Sequence, residues 1–228
     1  MKVDIVERLD AGVSLANSDY LLVRELTHRI NNEFTSVIGH ASILAARSDS
    51  DEVKKALARV TQLLHHCADV HRALETPTHS TIIDLSSYIR TLCQSISRAR
   101  LDDRGIELVV VEHPVRMRSE RCWLLGMIVS ELITNSARHA FSGRGGQIQV
   151  KLSGSGPYVQ CCVMDNGSSR SSGTPGQGLK IVDALVKELD GEIVHRFGAE
   201  GALSILIFPL SRKVPQDSDS RMLDEHLE

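Results

Sequence analysis

The chain has 228 residues, 42% hydrophobic and 24% charged, with a formal net charge of −3. These are the proportions of a globular protein of one or two domains, and neither the charge balance nor the 4% aromatic content suits a nucleic-acid or anionic-membrane surface. No apolar run approaches the roughly eighteen residues of a membrane span, Met1-Lys2-Val3-Asp4 is too charged for a secretory signal, and five cysteines without paired spacing read as reduced thiols in a cytoplasmic protein.

Residues 1–18 carry no decisive pattern, and Asn17-Ser18-Asp19 then offers a helix cap. Leu22, Leu26, Ile30, Phe34, Val37, Ala41 and Leu44 recur at alternating steps of four and three, which draws a narrow helix–helix seam. His28 lies two residues after Leu26, about 200° around the helix, so it points away from that seam among polar neighbours. Ser48-Asp49-Ser50-Asp51 breaks the helix, and Asp49 with Glu52 resembles a capping box. Val53, Leu57, Val60, Leu64, Cys67 and Leu74 mark a second seamed helix that stops at Thr76-Pro77. A lone antiparallel hairpin cannot bury both sides of its seam, so residues 19–77 are expected to double into a four-helix bundle as a homodimer. His65, His66, Cys67 and His71 belong to this hairpin, and its seam explains them better than a metal site does.

From residue 78 to 211 the pattern changes to mixed helix and strand. Helices are predicted over 85–101, 120–141 and 179–189, and strands over 106–111, 147–152, 158–164, 192–197 and 203–208. The strands pair mainly as hairpins, so the fold class is α+β: the helical hairpin followed by a two-layer sandwich. Residues 212–228 are polar and charged, a tail without a core of its own.

Three clusters of the second domain carry chemistry. Glu131, Asn135, Arg138 and His139 crowd one helical face at spacings of three and four. A carboxylate, an amide oxygen and two nitrogen donors suit a hydrated Mg²⁺ holding phosphate oxygens. Asp165-Asn166-Gly167 follows an apolar strand, where a carboxylate can accept a purine amino hydrogen and the glycine lets backbone approach the ring. Gly173-Thr-Pro-Gly176-Gln-Gly178-Leu179 opens a helix whose free N–H groups favour phosphate. It lacks both the third glycine of a dinucleotide fingerprint and the Gly-Lys-Ser/Thr ending of a Walker A loop.

In that order, behind the His28 hairpin, the clusters resemble a two-component sensor histidine kinase core with a GHKL-type (Bergerat) ATPase domain, over roughly four-fifths of the chain. The histidine box Glu25-Leu-Thr-His28-Arg29-Ile30-Asn31-Asn32 is similar to the HWE-like branch that reads His-Arg-hydrophobic-x-Asn, although the Trp-x-Glu signature is absent and the only tryptophan is Trp123. Ser168-Ser169 also replace the further glycine that usually follows Asp-x-Gly. The resemblance implies His28 as phosphoacceptor, Asn135 as Mg²⁺ ligand and Glu131 as the group that polarises metal-bound water. It implies Arg138 and His139 on the ATP phosphates, Asp165 with Gly167 at the adenine, and Gly176, Gly178 and Leu179 shaping the lid. Glu25 and Glu33 are the candidate bases for His28. About twenty residues before the hairpin leave no room for a sensor domain, so a signal would come from an upstream sensor protein or the short N-terminus. A cytoplasmic kinase handing its phosphoryl group to a response-regulator receiver domain is the expected function. The rivals are a histidine phosphotransferase with a degenerate ATPase domain and a non-catalytic module that binds a receiver.

Overall fold

The structure, a computed structural model, describes residues 25–26, 28–75, 77, 79–168 and 177–211. The N-terminal segment with its cap at Asn17–Asp19, Leu22 of the seam, Gly173 and Gly176 of the loop, and the 212–228 tail lie outside them. Helix α1 covers residues 28–47 and α2 covers Asp51–Ala73, so the hairpin forms as its spacing predicts. The cap differs from the expected Asp49–Glu52 box: Ser50 is the N-cap, its hydroxyl accepting from Val53 N, with Asp51 and Glu52 against the positive end of the helix. Phe34 and His71 meet across the hairpin with ring centroids 5.3 Å apart, and Asn31 donates to Glu75 one turn nearer the open end.

The second domain begins with β1 (Ile82–Asp84), which pairs with β3 (Arg116–Arg118) in a two-stranded ribbon. Both strands have only three residues, too few for alternation to announce them. Asp84 caps α3 (Leu85–Ile96), accepting from the backbone of Ser86 and Ser87. The helix predicted to reach Leu101 loosens at Ser97 into a π-turn over Ser97–Leu101, then tightens into a short 3₁₀ turn over Asp102–Arg104 that Gly105 closes with a left-handed φ of 63°.

Five strands form the main sheet: β2 (Ile106–Glu112), β4 (Gly146–Ser155), β5 (Tyr158–Asp165), β6 (Glu192–Gly198) and β7 (Gly201–Pro209). Their order is β2-β4-β5-β7-β6, with β2 parallel to β4 and the other neighbours antiparallel. Alternation sends Ile148, Val150 and Leu152 of β4, with Val159, Cys161 and Val163 of β5, to one face. There they meet Ile89 and Leu92 of α3, Leu125 and Ile128 of α4 (Ser119–His139), and Val182 and Val186 of α5 (Gln177–Glu188). Each of the large apolar side chains in this layer contributes about 1.5–3 kcal/mol by leaving water. The result is the two-layer α+β sandwich that the sequence implies.

Two features fasten the layers. Buried Arg121 donates to the carbonyls of Leu189 and Pro209 at 2.8 and 2.7 Å, with Asp190 at 3.8 Å, so its charge joins the end of α5 to the end of β7. At the same end of α4 the hairpin itself is tied in. Tyr88 Oη–H donates to Ala73 O at 3.0 Å and Trp123 Nε1–H to Leu74 O at 2.8 Å, taking up carbonyls that the end of α2 leaves free. Val70 is only 2% exposed and belongs to the core of the second domain, with Cys67, Ala73 and Leu74 packed against it. The boundary near residue 77 therefore divides the sequence, while the core runs across it.

Candidate functional site: the α4–α5 cleft and the His28 helix

α4 presents Glu131 and Asn135 on successive turns, and the first turn of α5 lies directly over them. A Cβ on Gly178 would collide with Glu131 Oε1 and stand 3.3 Å from Asn135 Nδ2, so the start of α5 lies directly against these two side-chain ends. Two oxygen-bearing side chains beneath a helix N-terminus form a donor set that fits a hydrated Mg²⁺ and phosphate. Leu179, the next residue, is partly buried and packs on the core, which anchors the start of α5. Gly176 lies outside the described residues.

Asp165 ends β5 on the same face, 7% exposed. Its Oδ2 accepts a 2.7 Å hydrogen bond from the Ser136 hydroxyl, and its Oδ1 accepts from Gly167 N at 3.1 Å and Ala202 N at 3.2 Å. Gly167 is required here for closeness, since a Cβ would strike Ala140 O, and Ser168 N donates to that same carbonyl. Gly201, at φ 124°, passes against the Asp165 backbone where no side chain fits. The carboxylate is thus fixed by three donors and keeps acceptor capacity toward the cleft, since an ionised carboxylate has about four lone-pair sites.

The four residues expected on one face of α4 divide. Glu131 and Asn135 face Gly178, whereas Arg138 lines a separate cavity with Arg100, Arg104 and Thr134. His139 is exposed at the last turn of the helix. Ser136 and the Ala202 amide, which position Asp165, escaped sequence reasoning because only the folded sheet brings α4, β5 and β7 together.

On the hairpin, His28 is exposed, as its position off the seam requires. Glu25, one candidate base, is instead paired with Arg29 at 3.0 Å. The side chain beside the imidazole is Asn32, whose Nδ2 lies 3.4 Å from His28 Nδ1 one helical turn on. The i,i+4 spacing is visible in the sequence, where the candidate bases Glu25 and Glu33 are carboxylates and Asn32 is an amide.

Comparison with known proteins gives matches for both the hairpin and the sandwich. The HisKA_2 family profile, described as "Histidine kinase", matches residues 25–100. The chain is 27% identical over 200 residues to the sensor histidine kinase PdtaS of Mycobacterium tuberculosis, covering 84% of this chain and 40% of that protein. It therefore spans about two-fifths of the length of this curated relative. Among solved structures, the histidine kinase domain of the Erythrobacter litoralis EL346 blue-light-activated kinase aligns with a TM-score of 0.55 at 22% identity, covering 77% of this chain and 96% of that one. A bacterial phosphotransferase aligns with a TM-score of 0.58 at 15% identity, covering 82% and 95%. These last two are likenesses of fold. The hairpin and α3 thus match a histidine kinase profile over residues 25–100, and the chain as a whole has the fold of a histidine kinase domain.

Proposed function

We propose that this chain is the core of a histidine kinase that phosphorylates His28 from MgATP and passes the phosphoryl group to a response-regulator aspartate. The observation that carries the reading is the convergence of Glu131 and Asn135 beneath Gly178, with Asp165 held at the end of the neighbouring strand. Bound MgATP supplies the phosphoryl group and a cation that neutralises its charge. In this reading Asn135 holds the metal, Glu131 orients its water, and Asp165 accepts from the adenine amino group. On the hairpin, the Asn32 amide, with Nδ2 3.4 Å from His28 Nδ1, is the side chain placed to orient the imidazole.

The hairpin works as half of a bundle. Leu26 is 51% exposed and Leu44 59%, and Val37, Val53 and Val60 share that exposure, which supports a homodimer built on this seam. No described helix is long and apolar enough to cross a membrane, and a cytoplasmic setting belongs to the same proposal. An upstream sensor protein completes it as the source of signal.

A second reading, a phosphotransferase that moves phosphate between receivers, is favoured by one observation: Asp165 already receives three hydrogen bonds from its own chain. Incubation with γ-labelled ATP and Mg²⁺ decides between them. Base-stable, acid-labile label on the parent and none on His28→Ala supports the kinase. A parent that never labels from ATP, yet accepts phosphate from a phosphorylated receiver, is a phosphotransferase.

A further inference from the structure

On the side of α4 turned toward α3 lies an open cavity of about 510 Å³ that the nucleotide reading leaves unused. Three arginines line it from three elements: Arg100 from the π-turn, Arg104 from the 3₁₀ turn and Arg138 from the end of α4. Its floor is apolar, formed by Ile96, Leu101 and Ile133. Arg100 is held in place by a 2.7 Å hydrogen bond from Nη1 to the Thr134 hydroxyl, which in turn donates to Ser130 O. Among the described residues none of the three arginines forms an ion pair. The one hydrogen bond of Arg100 ends on a neutral hydroxyl, so its charge stays uncompensated. That charge reaches the hairpin, where it adds to burial in holding His71 below the ordinary imidazole value.

Three arginines lining one cavity together with apolar residues have a definite chemical preference. Each fork matches a pair of phosphate oxygens in one plane, which an ammonium cannot do. A single carboxylate offers too few oxygens for three forks, whereas a phosphate or pyrophosphate group engages all of them. The apolar floor suits the body of the molecule that carries the group, and the cavity lies within the roughly 300–1,000 Å³ range of small-molecule sites. We infer that the Arg100–Arg104–Arg138 cavity is a binding site for a phosphate-bearing small molecule, separate from the site beneath Gly178.

The test uses the full chain and sodium pyrophosphate, without Mg²⁺ and at low salt, by calorimetry and by amide chemical shifts. Saturable one-site binding is expected, with shift changes at Arg100 and Arg104. Arg104→Gln removes one exposed fork and weakens binding about tenfold, with circular dichroism confirming that the variant folds. Asn135→Ala leaves pyrophosphate affinity unchanged. An absence of saturable binding overturns the proposal. Binding that is lost in Asn135→Ala but kept in Arg104→Gln also overturns it, because the anion then belongs to the Glu131–Asn135 site. If hexaglutamate binds the cavity more tightly than pyrophosphate does, the face is a peptide contact and the small-molecule assignment falls.

Discussion

Ser136 and Asp165, 29 residues apart, are joined by a 2.7 Å hydrogen bond that ties α4 to the end of the central strand. The geometry makes Asp165→Asn an informative variant. The asparagine oxygen can take the Gly167 and Ala202 amides, and its NH₂ can donate to the Ser136 hydroxyl, so the fold survives. What changes is the group offered to a purine amino hydrogen. Calorimetry should show ATP affinity reduced by about 1–3 kcal/mol with an unchanged far-ultraviolet spectrum. Equal ATP binding by parent and variant would remove Asp165 from the adenine site.

Gly178→Ala tests the approach of α5 to α4. The added methyl meets the mobile end of Glu131 rather than backbone, so the side chain swings aside and stability changes by about 1 kcal/mol or less. The cost falls on the Mg²⁺-dependent part of ATP binding, which should drop while Mg²⁺-free binding changes less. Gly201→Ala behaves in the opposite way. Its φ of 124° and the Asp165 backbone leave no room, so thermal unfolding should reveal a loss of several kcal/mol.

The roles of His28 and Asn135 separate cleanly in the proposed mechanism. Asn135→Ala should abolish labelling from ATP and still accept phosphate from a phosphorylated receiver, because that exchange uses the receiver's own metal. His28→Ala should abolish both reactions and leave ATP binding intact. Label persisting on His28→Ala would mean another phosphoacceptor.

Leu26→Asp probes the seam. Leu26 is half exposed in the protomer, so the charge is tolerated there and penalised only when a second hairpin covers it. Light scattering at micromolar concentration should give a dimer for the parent and a folded monomer for the variant. A monomeric parent would refute the bundle.

Stability should also fall with acid below neutrality. Burial lowers the His71 and His195 imidazoles, with Arg100 adding to the effect at His71 and Asp183 opposing it at His195. A depressed folded value means that the unfolded chain takes up protons first. The contribution is complete above the ordinary value of 6.5 and is lost as pH drops from there toward the folded value. Melting temperatures between pH 7.5 and 5 should decline, and His71→Leu should flatten part of that slope.

The hairpin, the long helix and the strand pairs were legible because each repeats a period over many residues. The seam from Leu26 to Leu44 and the stripe from Val53 to Leu74 needed no tertiary information. The ribbon of β1 and β3 was invisible at three residues a strand, and nothing local marks the change at Ser97 from α-helix to π-turn. In the site, Glu131, Asn135 and Asp165 could be found because their residue types and spacing express chemistry. The division of α4 into two faces could not. Arg138 sits three residues after Asn135, between the two sides, and the placement of Arg100 and Arg104 by a distant turn decides which cavity it lines.

The bonds from Tyr88 and Trp123 to the last carbonyls of α2 bear on how the protein can be cut. A fragment beginning at residue 78 loses Val70, Cys67, Ala73 and Leu74, and leaves an apolar trough along α3 and α4 with two unpaired donors beside it. A fragment starting near His65 retains that wall. The same fastening makes α2 a shaft rather than a tether: a twist applied to the hairpin is delivered as torque to the first turns of α4, at the opposite end of the helix from Asn135.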